Sequence, residues 1–123
     1  MELLMKKNKL DNMIESFIYN CNIYGNAILD GDSTKANKAY KKIVAAKDYI
    51  LSQEQLELLA PNLDSDLISI KIWTARYLLF SSTFSKRSED ILESISNSEN
   101  NFLGTIAEHT LKEWKNGRLT LEH

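Results

Sequence analysis

Punctuation is scarce in this sequence. One proline, Pro61, four isolated glycines and one cysteine serve 123 residues. With a single cysteine, no intrachain disulfide framework can form, and Cys21 lies on an apolar helical stripe, as a buried small hydrophobe does rather than a reactive thiol. Gly25, Gly31, Gly104 and Gly117 are too scattered to form a glycine-rich phosphate loop. No run approaches the ~20 uncharged apolar residues of a membrane span. The lysine-bearing start, Met1 to Leu10, has no apolar run or small-residue cleavage site of a signal peptide. No stretch alternates with period two, and no linker or low-complexity tract is visible. A reducing, cytoplasmic setting fits these absences.

Polar chemistry is equally thin. The end, Leu121-Glu122-His123, looks like the start of a vector-encoded histidine tag and is set aside, leaving residues 1–120 as a single domain and His109 as the only native histidine. His109 and Glu113 form an i, i+4 pair such as a two-ligand metal half-site uses, but no second histidine or cysteine completes a shell. A Ser–His–Asp constellation would rest on this one histidine. No catalytic residue, cofactor or metal is expected. Without Glu122 the chain carries 15 basic and 16 acidic residues. Such balance disfavours nucleic acid, which needs clustered Lys and Arg.

What the sequence does have is helical periodicity. With 43% apolar and 26% charged residues it can build one soluble domain, and a chain of this length buries roughly two-thirds of its unfolded surface without a staple. Six helices are expected. The first carries Leu10, Met13, Ile14, Phe17, Cys21, Tyr24 and Ile28 on one face and stops at Asp30-Gly31-Asp32. Asp32 or Ser33 caps the second, in which Ala36, Ala39, Tyr40, Ile43, Val44, Ile50 and Leu51 face inward. Asn37 beside that stripe is expected to be a buried, hydrogen-bonded amide. Ser52 caps a short third helix that Pro61 ends, and Ser65 or Asp66 caps the fourth, which runs to about Phe80. The fifth opens at Ser85 or Ser88, and the sixth runs from about Phe102 to Asn116 and stops at Gly117.

An offset of 35 residues relates two of these stripes. Ile68, Ile72, Ala75 and Leu79 recur as Leu103, Ala107, Thr110 and Trp114. Repeats of about this period mark stacked helical hairpins, each needing a neighbour to cover its apolar face. The expected fold is therefore all-α: a right-handed α-α superhelix of about three hairpins, with the divergent first pair as a cap.

Residues Gln55 to Leu59, then Pro61 and Asp64, then Leu67 to Leu79 resemble a HEAT-type repeat. Asp32 to Tyr40 and Phe102-Leu103-Gly104, Ala107-Glu108 and Leu111 to Gly117 are similar to a family of small bacterial proteins of undefined function with an armadillo/HEAT-like superhelix. Coverage runs from about Leu10 to Leu119. Ser81 to Ser85 departs from the tighter proline-containing turn of that pattern. The resemblance implies a fold and no reaction.

Two faces are candidate binding surfaces. Trp73, Arg76, Tyr77 and Phe80 form a second stripe on the fourth helix, which is apolar nearly all round. Such a helix either sits buried in the middle of the stack or lines a concave groove, with Glu108 beside Trp73 and Lys112 beside Tyr77 by the repeat offset. On the groove reading, Trp73, Arg76, Tyr77, Glu108 and Lys112 bind a protein partner. Lys35, Lys38, Lys41 and Lys42 on the second helix would suit a phosphate backbone, the alternative function, or else form a solvated face. The expected molecule is a protein-binding module of immunity-type or regulatory character, with no membrane association, existing as a monomer or weak homodimer.

Overall fold

A computed structural model describes residues 8–123, and every regular element among them is helical. These are α1 (Lys9–Asp30), α2 (Ser33–Ser52), a 3-10 segment (Leu56–Asp64), α3 (Ile68–Leu78), α4 (Ser85–Ser98) and α5 (Phe102–Lys115). The lysine-bearing start read as lacking a signal peptide lies largely outside the described residues. No helix among those described is long and apolar enough to cross a membrane.

Short polar side chains start three of the helices. Asn8 Oδ1 accepts from the Asp11 amide at 2.8 Å, Asp32 Oδ1 from Lys35 at 3.0 Å, and Asn101 Oδ1 from Leu103 at 2.9 Å. Each satisfies an amide that the first helical turn leaves free. Gly31 (φ 75°) and Gly117 (φ 72°) close α1 and α5 in the left-handed region, where a Cβ is penalised. Gly31 and Asp32 alone connect α1 to α2, and this forces the two into a hairpin. α4 and α5 pair likewise, and α3 packs against the 3-10 segment, α1 and α4.

The apolar faces meet in two clusters. Phe17, Cys21, Ile43, Ile50, Leu59, Ile70, Trp73 and Tyr77 form the first, from α1, α2, the 3-10 segment and α3. Leu63, Ile72, Ala75, Leu78, Leu79, Leu92, Ile95, Leu103, Ala107 and Leu111 form the second, towards α4 and α5. Ile72, Ala75 and Leu79 share the second cluster with Leu103 and Ala107, with Ile68 and Trp114 packed at its edge. α3 contributes to both clusters and has eight buried residues.

Close approach holds α1 against α3. A Cβ placed on Gly25 would lie 2.4 Å from Ser69 Cβ, so no larger residue fits without movement. The contact also lets Ser69 Oγ donate to the Cys21 carbonyl at 2.7 Å within the core.

Three local expectations need correction. The third helix does not begin at Ser52 and end at Pro61. Ser52 is the last residue of α2, and Pro61 lies inside the 3-10 segment. Inside an α-helix the proline ring would clash with the carbonyl four residues back; tighter three-residue turns accommodate it. Ser65 does not cap α3; its Oγ accepts from the Leu67 amide, one residue too early, at 3.1 Å. Asn37 is exposed. The buried amide is Asn20, whose Nδ2 donates to the Ser16 carbonyl at 2.8 Å.

Gly25→Ala is expected to destabilise the fold by about 1–3 kcal/mol in urea unfolding, the usual cost of overpacking. Glu54, with φ 56° just after α2, sits where glycine is favoured. Glu54→Gly is expected to be neutral or to stabilise by up to about 1 kcal/mol in the same assay.

Candidate functional site

The aromatic stripe of α3 belongs to the core. Tyr77 is 0% and Trp73 7% exposed. Trp73 meets Tyr24 edge-on with ring centres 5.2 Å apart, and Tyr40 and Tyr77 flank it at 6.0 and 5.9 Å. Phe80, at the end of the stripe, packs edge-on to Trp114 at 5.1 Å. Of the two readings of this helix, burial holds, and the exposed groove with aromatic anchors does not. The reason is composition: with isoleucine, leucine and alanine on its other sides, α3 presents no face that water solvates well.

Glu108 and Lys112 are exposed on α5. They line shallow depressions with Ser96 and Glu93 of α4, and neither depression includes Trp73, Arg76 or Tyr77. Ile72 of α3 and Ala107 of α5 lie in the shared second cluster, and Glu108 and Lys112 lie on the solvent side of α5.

The polar tips of the α3 stripe are used nonetheless. Arg76 Nη1 donates to the Thr120 carbonyl at 3.2 Å, and the Tyr77 hydroxyl donates to the main-chain oxygen of His123 at 2.9 Å. The final residues thus fold back over α3 as a strap without regular structure, and Leu119 and Leu121 pack on the two core clusters. Its direction is set at the base. The Arg118 amide donates to the Glu113 carbonyl at 2.9 Å, and its guanidinium donates to the Glu113 carboxylate at 3.0 Å. This pairing holds the Glu113 carboxyl below its ordinary range. His109, expected to face Glu113, is exposed.

An unanticipated surface lies elsewhere. Five large apolar side chains are exposed among the described residues, and four of them, Tyr19, Leu29, Leu67 and Phe102, line adjoining depressions. Tyr19 and Leu67 flank the first, Leu67 and Leu29 the second, and Leu29 and Phe102 the third. Tyr19 is 67% and Phe102 68% exposed. Carboxylates rim this groove along its length: Glu15, Asp66, Glu99 and Glu108. Lys112 and Lys115 appear only beyond its far end. The sequence signal was faint but present. Tyr19 sits two residues off the Phe17 position, hence on the opposite side of α1, and Phe102 precedes the inward stripe of α5 by one residue.

Lys35, Lys38, Lys41 and Lys42 are exposed on α2. Among the described residues no three His, Cys, Asp or Glu side chains converge as a metal site would require. Comparison of the chain with protein-family models, with curated proteins and with solved structures gives no match.

Burial sets the acid–base behaviour of the core. It pushes the Cys21 thiol well above its ordinary range, and it raises the Tyr77 phenol, against a smaller opposing effect of Arg76. Arg76 itself is lowered chiefly by burial. A group whose pKa is raised on folding keeps its proton longer in the native state, so its contribution is intact below the unfolded pKa and lost above it. Stability is therefore expected to fall as pH rises past about 8.5, the unfolded thiol value, and Cys21→Ala should flatten that first part of the decline in urea titrations. Native Cys21 should resist a thiol-reactive dye until the chain unfolds.

Proposed function

We propose that this chain is a non-enzymatic protein-binding module whose helix pairs stack in a HEAT-like manner, and that its partner docks in the groove running from Tyr19 to Phe102. The observation that carries the reading is the gathering of four exposed apolar side chains along three neighbouring depressions that share Leu67 and Leu29. Solvated proteins scatter such residues; gathered together they mark an interaction surface. Tyrosine and phenylalanine at the two ends supply large, stiff contact area.

Charge narrows the partner. An apolar groove edged by Asp66, Glu99 and Glu108 attracts a basic protein surface and repels a phosphate backbone, so it favours protein over nucleic acid. Glu108 remains a candidate contact residue at the rim and Lys112 one just beyond its far end, neither of them beside Trp73. An immunity-type or regulatory role, masking a basic toxin or enzyme in a bacterial cytoplasm, is the concrete form of this reading. A monomer leaves the groove free; a weak homodimer would compete for it.

Tyr19→Ala combined with Phe102→Ala is expected to abolish capture of the partner from the native host. If both are central anchors, the loss should be at least about 30-fold in affinity. Thermal unfolding should change little, because both side chains are solvent-facing. Binding should also weaken as salt is raised. Trp73→Ala, by contrast, should cost about 3–5 kcal/mol of stability. Partner capture that is unaffected by the double variant, or the absence of any specific partner, overturns the proposal.

A further inference from the structure

Besides its inward stripe, α1 has a solvent-facing side on which Tyr19, Asn26 and Leu29 are exposed. This side lines two depressions of the Tyr19–Phe102 groove. The first is bounded on α1 by Glu15, Ile18, Tyr19 and Asn22, the second by Asn22, Gly25, Asn26 and Leu29. Each set has the spacing i, i+3, i+4, i+7, and the second is the first moved on by one heptad. Four residues in that diamond form the hole into which a facing helix inserts one knob. Two such holes in succession, about 10 Å apart at 1.5 Å of rise per residue, make the receiving half of a helix–helix seam.

The two holes differ in chemistry. The start of α3 closes the first with Leu67 and Ile70, so its walls are largely apolar. The second is closed by Asp66, Glu99 and Asn101, which with Asn22 and Asn26 bring two carboxylates and three amides around one hollow. Among the described residues neither Asp66 nor Glu99 is in an ion pair. The hollows, of about 330 and 240 Å³, fall at or below the bottom of the roughly 300–1,000 Å³ range of small-molecule sites. They suit single side chains. A large apolar side chain fits the first. In the second, arginine or lysine can lay its aliphatic stem along Leu29 and Leu67 and bring its cation to Asp66 and Glu99.

A helix is the occupant this face suits. An extended segment needs a sheet edge to pair its main chain, and every regular element among the described residues is helical. A helix arrives with its main chain already paired. A second copy turning the same face inward would set Asp66 and Glu99 against their own counterparts, like charge on like charge. We propose that the partner docks through one amphipathic helix laid along α1, with a large apolar side chain in the Tyr19–Leu67 hole and an arginine or lysine seven residues away in the Asp66–Glu99 hole. This docking mode rests on the reading of the groove as a protein-binding surface, and it fixes the secondary structure, spacing and charge of what enters.

The test uses the full chain and fluorescein-labelled, alanine-based helical peptides of about five turns, followed by anisotropy. One carries leucine with arginine seven residues later. The other carries the two in reverse order, which covers both directions along α1. At least one should bind saturably with Kd below about 1 mM. Moving its arginine two residues along, or placing a proline between the two anchors, should abolish binding or weaken it at least about ten-fold. Exchanging its arginine for glutamine should cost the wild-type chain at least about five-fold in affinity. The same exchange should change little on the chain carrying Asp66→Asn and Glu99→Gln, whose side chains keep their shape without their charge. An equal loss on both chains overturns the proposal, as does binding by neither peptide. Peptides that bind alike whatever their spacing or helicity, yet are lost with Tyr19→Ala and Phe102→Ala, overturn the helical seam while leaving the groove a protein-binding surface. Partner capture that ignores that double variant removes the groove itself, so the two failures are told apart.

Discussion

Everything in this fold is arranged around the need to cover α3. The helix is short, and eight of its residues are buried on several sides. No single neighbour can shelter it. α1 and α2 close over its Ile70, Trp73 and Tyr77 face, while α4 and α5 close over Ile72, Ala75 and Leu79. Burial of a leucine-sized side chain is worth about 1.5–3 kcal/mol, so the sum over α3 dominates the placement of every other helix. Gly25 and Ser69 set how near α1 comes, and the hydroxyl of Ser69 satisfies the Cys21 carbonyl that this approach encloses.

Much of this was legible in the sequence for a definite reason. Helices with one apolar stripe announce their inward face, and α1, α2, α4 and α5 do so; capping by Asp32 and closure at Gly117 follow local rules that need no knowledge of the fold. The Ile72 and Ala107 stripes, read as inward-facing, both lie in the second cluster. Legibility failed where a choice depended on three-dimensional neighbours. A helix that is apolar all round gives no direction, so Trp73 and Tyr77 read equally well as core or as groove. Pro61 reads as a terminator, although a run of 3-10 turns accepts it. Asn37 and Asn20 both lie near apolar stripes, and only the packing of α1 decides that Asn20 is the one enclosed. Lys47 was invisible for the opposite reason: a lysine among helix-two lysines reads as solvated, whereas this one is enclosed by Tyr77 and the returning chain.

The apolar groove and the donor cluster beside α3 draw on different physics. Tyr19, Leu29, Leu67 and Phe102 present apolar area edged by carboxylates. Lys47, Arg76 and Tyr77 present donors, which the returning chain meets with main-chain oxygens. One lies on the outside of α1 and α5, the other on the polar edge of the α3 core. Of the stripe singled out in the sequence, Tyr77 and Arg76 do have polar work to do through their hydroxyl and guanidinium tips, while the aromatic faces are spent on packing.

The membership of α3 in both clusters also bears on how the molecule comes apart. In a linear array of repeats each unit touches only its neighbours, and ends can fray while the middle persists. Here the central helix is common property of both halves. Loosening either flank uncovers it, and an uncovered α3 no longer supports the other flank. The two tryptophans happen to sit one to each half, Trp73 in the first cluster and Trp114 at the edge of the second beside Phe80. A chain built this way loses its structure in a single cooperative transition, sensed alike by both indoles, rather than by peeling from one end.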